Sequence, residues 1–212
     1  MKVKILTLFF TLIFMVGCST KSSGLYNLRP EIWYNHIMAD IKANDLKEAD
    51  KHYNQFASEH VASPLLEPTL LVMALANTDE GRYTRANELL DEYIRRYGTK
   101  EKIEYAKFLK IKANYDSFQK PNRNQNLMHY SIIEIENFLS EYPNTQYRPL
   151  LETMLIKFKL AVYYLNENIK DLYAQKGRDV SAKIYEEKLQ NSALKDANLS
   201  APNLPWYRAF FE

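Results

Sequence analysis

Few side chains in this 212-residue sequence could carry out covalent or acid–base chemistry. The one cysteine, Cys18, supplies the single thiol, and the four histidines are His36, His52, His60 and His129. The histidines show no metal-ligand spacing, and without a second cysteine a structural zinc site has no ligand set. His52 and His60 are expected on a solvated helix face. No phosphate-cradling glycine loop, nucleophile elbow or dinucleotide-binding glycine fingerprint occurs. The sequence thus predicts no catalytic residue, no metal and no cofactor, and leaves Cys18 as the reactive group to be explained.

Cys18 closes the strongly apolar run at the start of the chain. Lys2 and Lys4 precede the mostly apolar residues 5–15, and Val16-Gly17 stand just before the cysteine. A charged start, a short apolar middle and a small residue at the cut make a secretory signal. The run is too short for a membrane helix, which needs ~20 residues. Val16-Gly17-Cys18 resembles the lipobox, where a signal peptidase cuts before a cysteine already bearing diacylglycerol; Met15 stands where leucine is usual. Residues 1–17 are therefore expected to be a cleaved signal peptide and Cys18 a lipidated anchor. A thioether-linked lipid plus an acylated amino terminus provides the two or more chains that stable anchoring needs, at ~0.8 kcal/mol per buried methylene. Ser19, where many lipoproteins retained at the inner membrane carry aspartate, favours the outer membrane. Residues 18–30, rich in serine, read as a lipidated flexible tether.

The discarded segment also carries the charge imbalance. Residues 1–17 hold two of the 28 basic residues and none of the 26 acidic ones, so the chain from Cys18 onward has 26 of each. That neutrality argues against nucleic acid as a partner and against a polybasic membrane patch. With Cys18 acylated no disulfide can form within the chain, and the fold must rest on a packed core.

Residues 31–194 must position any binding surface, and they read as helix throughout. Leu89, Leu90, Tyr93, Ile94 and Tyr97 recur at three and four, and no run alternates as a strand would. A pattern repeats: Asn44-Asp45-Leu46-Lys47-Glu48-Ala49, Gly81-Arg82-Tyr83-Thr84-Arg85-Ala86 and Gly177-Arg178-Asp179-Val180-Ser181-Ala182. Each pairs a turn residue able to take left-handed backbone with a small alanine five positions on, where two helices can approach closely. Ala49 and Ala86 lie 37 residues apart, near the ~34-residue tetratricopeptide period. Trp33, Tyr53 and Phe56 fill the apolar positions of a first unit, and Leu70, Ala74, Leu90 and Tyr93 those of a second. A third unit is stretched, with Ser131 in the alanine slot, a polar loop over residues 120–126 and Pro143 past its end. A fourth runs from Arg148-Pro149 through a long helix, turns at Gly177 and ends near Leu194. The predicted fold is all-α: a tetratricopeptide-repeat α-solenoid of about four helix hairpins.

Stacked hairpins of this kind form a superhelix with a concave face. In helix register Tyr34, Met38, Ile41, Leu71, Leu75 and Thr78 approach that face and form a candidate peptide groove; plain core packing is the alternative for the same six. The aromatic tail over residues 195–212 contains Trp206, Tyr207, Phe210 and Phe211, two pairs spaced four apart. They either cap the last repeat or anchor a partner.

Four passages, residues 83–97, 105–115, 138–147 and 166–182, follow in an order that, with the lipobox, resembles the BamD/ComL outer-membrane assembly lipoproteins. The resemblance implies a non-enzymatic, lipid-anchored subunit on the periplasmic face of the outer membrane, in the machine that folds β-barrel proteins. Its implied partners are a BamA-like barrel subunit with periplasmic domains, other lipoproteins of that complex and unfolded β-barrel substrates. Carried over to this sequence, Asn166, Glu167, Tyr173 and Arg178 fall in the half that docks on the barrel subunit; the alternative for each is ordinary helix surface or helix pairing. Family members commonly have five repeats, whereas this chain has length for four and a tail. Two other readings share the anchor and the repeats: a lipoprotein for pilus secretin assembly, and a scaffold for cell-envelope division.

Overall fold

The computed structural model of the protein describes residues 25–118 and 125–197. Its eight helices in that range are α1 (Pro30–Lys42), α2 (Leu46–Glu59), α3 (Leu66–Asp79), α4 (Tyr83–Tyr97), α5 (Lys100–Asp116), α6 (Gln125–Glu141), α7 (Arg148–Gln175) and α8 (Asp179–Gln190). Among the described residues there is no strand, and no helix is long and apolar enough to cross a membrane.

Three of the four hairpins close by one and the same device. Asn44, Gly81 and Gly177 take left-handed backbone, with φ of 59°, 70° and 65°. In each turn the next residue donates its N–H back five positions: Asp45 to the Asp40 carbonyl at 2.9 Å, Arg82 to Asn77 at 2.8 Å, Arg178 to Tyr173 at 2.9 Å. The left-handed residue itself bonds three back, to Ile41, Thr78 and Ala174, at 3.0 Å each time. These paired bonds are a Schellman cap, which satisfies the carbonyls that a helix end leaves open. The repeated sequence pattern is therefore a repeated cap. Asp45 also accepts the Glu48 N–H at 3.1 Å, so the same turn stops α1 and starts α2. Elsewhere proline opens α1 and α7 at their first turns.

Consecutive helices pack antiparallel in order, and α1 also touches α3. The core is one continuous cluster from Trp33 to Leu165. Ala49 and Ala86 are buried at the hairpin crossings, and Ser131 is buried in the corresponding slot of α6. Large aromatics within it keep their polar tips satisfied, as buried Trp and Tyr require. Trp33 Nε1 donates to Glu59 Oε2 at 2.7 Å, Tyr53 to Glu92 at 3.1 Å and Tyr93 to Glu67 at 3.2 Å. Burial raises the Tyr93 phenol to about 12, with the Glu67 carboxylate adding to it. Ion pairs tie neighbouring helices at the rim: Arg85 to Asp50 at 2.9 Å, Lys102 to Glu67 at 2.5 Å and Lys159 to Glu136 at 2.7 Å.

The third hairpin departs from the pattern. Helix α5 packs more closely on α4 than on its own partner α6, and of the residues joining the two only Ser117 and Phe118 are described. Helix α6 begins at Gln125, inside the stretch that the sequence assigns to a loop. The connection to α7 is closed instead by Tyr147, whose ring stacks on Phe108 at 4.0 Å with 8° between planes.

Two sequence expectations need correction. His52 and His60 do not lie on a solvated face: His52 Nδ1 donates to Asp40 Oδ2 at 2.5 Å beside the His36 and Trp33 rings, and His60 Nε2 donates to the Leu28 carbonyl at 2.6 Å. Helical periodicity shows neither bond, because both acceptors belong to other segments. Residues 25–29, assigned to the flexible tether, are docked. Leu25 and Leu28 pack on the core, and the Asn27 N–H donates to Glu59 Oε1 at 3.1 Å. The leucines in an otherwise polar stretch are the physical reason, since two apolar side chains have a hairpin end to cover.

Candidate interaction surfaces

The sequence places its candidate groove on α1 and α3, which lie side by side. Tyr34, Met38, Ile41, Leu71, Leu75 and Thr78 are all partly exposed there, and none enters the fully buried core. Met38, Ile41 and Leu71 rest against that core with one side. Leu75, at 36% exposure, is the most open apolar side chain of the six. The Thr78 hydroxyl is turned inward, donating to the Ala74 carbonyl at 3.1 Å. Five side chains thus form a half-exposed stripe, while Thr78 offers it little.

Asn166, Glu167, Tyr173 and Arg178 lie along the outer half of α7 and the turn into α8. Asn166 lines a shallow cleft with Ile132 of α6 and Lys188 of α8. The Tyr173 ring lies 5.8 Å from Tyr185, so it joins α7 to α8. Arg178 is exposed ahead of α8, its backbone held by the Tyr173 carbonyl. Tyr173 and Arg178 are therefore two ends of one capped turn, with Tyr173 occupied in helix pairing and Arg178 open to solvent. Cys18 and the tail residues Trp206, Tyr207, Phe210 and Phe211 lie outside the described residues.

One surface is absent from the sequence reading. A cleft of about 310 Å³ opens where α5 leans away from α6, floored by Ile111 and Phe138 and walled by Ile94, Tyr130 and Ile133. Tyr130 and Ile133 stand 59% and 57% exposed at its mouth. Lys107 and Lys110 cross it, paired with Glu141 at 2.7 Å and Asp91 at 2.5 Å. Behind them Asn87 donates to Asn114 at 3.0 Å, and Asn114 donates to Glu134 Oε2 at 3.0 Å. Burial raises the Glu134 carboxyl above its ordinary value, against the pull of the Asn114 bond and Lys110. The available signal was the apolar excess of α6: Met128, Tyr130, Ile132, Ile133 and Ile135 exceed what one buried stripe can use.

Among the described residues no three His, Cys, Asp or Glu side chains are placed to hold a metal ion. Antiparallel helix pairs with repeated Schellman turns and a continuous core define a tetratricopeptide-like α-solenoid, a class that presents extended surfaces. The chain belongs to the YfiO family of outer membrane lipoproteins, whose family model matches residues 27–192 and so takes in all eight helices. The outer membrane protein assembly factor BamD of Helicobacter pylori is 33% identical over 210 residues, which cover 97% of this chain and 96% of that protein.

Proposed function

We propose that this protein is a lipid-anchored subunit of the machine that assembles β-barrel proteins into the outer membrane, acting by binding. The observation that carries the reading is the likeness to an outer membrane assembly factor along nearly the whole chain. The solenoid fits the role, because stacked hairpins offer several extended surfaces. Cys18 carries the lipid and holds the solenoid at the periplasmic face of the outer membrane. The outer half of α7 with the α8 turn, through Asn166, Glu167 and Arg178, docks on the periplasmic domains of a BamA-like barrel subunit. The half-exposed stripe of α1 and α3, with Tyr34, Met38, Ile41, Leu71 and Leu75, receives unfolded barrel substrates or a companion lipoprotein.

The test is affinity purification of the tagged, lipidated protein from detergent-solubilised envelopes, with partners identified by mass spectrometry. An outer-membrane barrel with periplasmic repeat domains is expected, and replacing Asn166, Glu167 and Arg178 together by alanine should cut its recovery at least tenfold without unfolding the chain. Recovery of a pilus secretin or of septal proteins in its place would sink the proposal.

A further inference from the structure

The edge formed by residues 26–29 and 60–65 joins three observations that the assembly role does not explain. The first is a clamp. Glu59 accepts three hydrogen bonds at the end of α2: from Gln55 at 2.6 Å, from the Asn27 backbone at 3.1 Å and from Trp33 at 2.7 Å. His60 adds a fourth bond one residue on, to the Leu28 carbonyl at 2.6 Å. These bonds strap the entering chain onto the first hairpin before α1 begins.

The second observation is exposure. Tyr26 and Val61 stand 76% and 75% exposed, each one residue from the strap's bonds. Their neighbours Ala62 and Pro64 are exposed on the same loop. Arg29, Glu31 and Glu59 are the charged side chains at this edge, one cation against two carboxylates. What the edge offers is therefore apolar and aromatic rather than polybasic.

The third is a length. Leu25 lies seven residue steps along the chain from Cys18, and an extended chain covers at most ~3.6 Å per step. A lipid on Cys18 then keeps Leu25 within about 25 Å of the bilayer. Were the chain loose up to Pro30, the limit would be about 43 Å, enough for any side of the first hairpin to turn toward the membrane.

We infer that the Tyr26–Val61 edge is a membrane-facing surface, held against the lipid headgroup region by the Glu59 strap; the inference rests on lipidation of Cys18. A tyrosine is suited to that depth, its ring among the acyl boundary and its hydroxyl in water. Two small apolar contacts do not hold a protein on a bilayer, which takes acyl chains. They set which side of the solenoid faces it, and so point the stack of hairpins away from the membrane.

Because Cys18 is the one cysteine and its thiol is consumed by the lipid, an introduced cysteine gives a unique label site. The lipidated full-length protein is reconstituted in phosphatidylethanolamine–phosphatidylglycerol vesicles, with a bimane probe at Ala62→Cys or, as a distant control, at Val180→Cys. Doxyl-labelled lipid should quench the probe at 62 at least threefold more than that at 180. The pair Tyr26→Asp and Val61→Asp, both at the surface, should abolish that difference while the protein still floats with vesicles. Glu59→Ala, checked for folding by circular dichroism, should weaken it as well. Flotation with equal quenching at both sites, or with quenching at 62 indifferent to the aspartate pair, overturns the membrane-facing edge and leaves the anchor standing. Loss of flotation by the unsubstituted protein means that the anchor itself is wrong, and the edge falls with it.

Discussion

Glu134 holds a carboxyl that the fold would sooner keep neutral. Its ordinary value is 4.5, and burial raises it in place. A group bound more tightly to its proton in the folded than in the unfolded state lowers stability as pH rises, beginning near the unfolded value. Well below 4.5 Glu134 is protonated in both states and the cost is absent; it grows as pH rises through the unfolded value. Glu134→Gln keeps an acceptor for Asn114 and removes the charge. Its melting temperature should exceed that of the parent at pH 7, with the gain vanishing toward pH 4. An unchanged or lower value at pH 7 would mean that attraction to Lys110 outweighs burial. This residue was not legible in the sequence, since Ile132-Ile133-Glu134-Ile135-Glu136 reads as one buried and one solvated face. Trp33, Tyr53 and Phe56 were legible, because large apolar residues at helical spacing have nowhere else to go.

At the scale of single helices, turns decided what could be read in advance. Asn44, Gly81 and Gly177 announced their hairpins because left-handed backbone restricts the residue to a short list. The cleft beside α5 and α6 depends on tertiary packing, which no turn residue announces. Glycines at helix ends are also unequal. A methyl group on Gly98 would run into the Ile94 carbonyl oxygen and lie 2.9 Å from Ile103 Cγ1, whereas at Gly177 it would meet nothing within 4 Å. Gly98→Ala must displace backbone and should cost about 2 kcal/mol. Gly177→Ala meets only the strain of positive φ, about 1 kcal/mol. Urea titrations followed by circular dichroism rank the two, and the reverse order would contradict the packing described for the α4–α5 junction.

Across the whole molecule the core thins toward the last hairpin. Helix α3 buries six residues, whereas α8 buries only Leu189, and Val180 and Ile184 lie open at 78% and 50%. Terminal repeats with little burial open first. Amides of α8 should therefore exchange with deuterium at least tenfold faster than those of α3 and α4. Deleting residues 202–212 should speed α8 further if the aromatic tail caps it; unaltered exchange would assign the tail to something other than capping. The order of hairpins was legible from spacing, but this gradient was not, because it depends on which apolar residues find a neighbour. Helix α7 spans the gradient. It runs unbroken for 28 residues, about 42 Å at 1.5 Å per residue. Leu151, Met154, Phe158 and Leu165 seat its first two-thirds, and none of its later residues is buried. Neither glycine nor proline interrupts it after the first turn, so it has no built-in joint. It is a crowbar with its fulcrum in the core: a load on the outer end is delivered to Phe158, wedged edge-on against Tyr115 at 5.4 Å and Phe118 at 5.1 Å. Whatever grips the far hairpin pulls mechanically on the third.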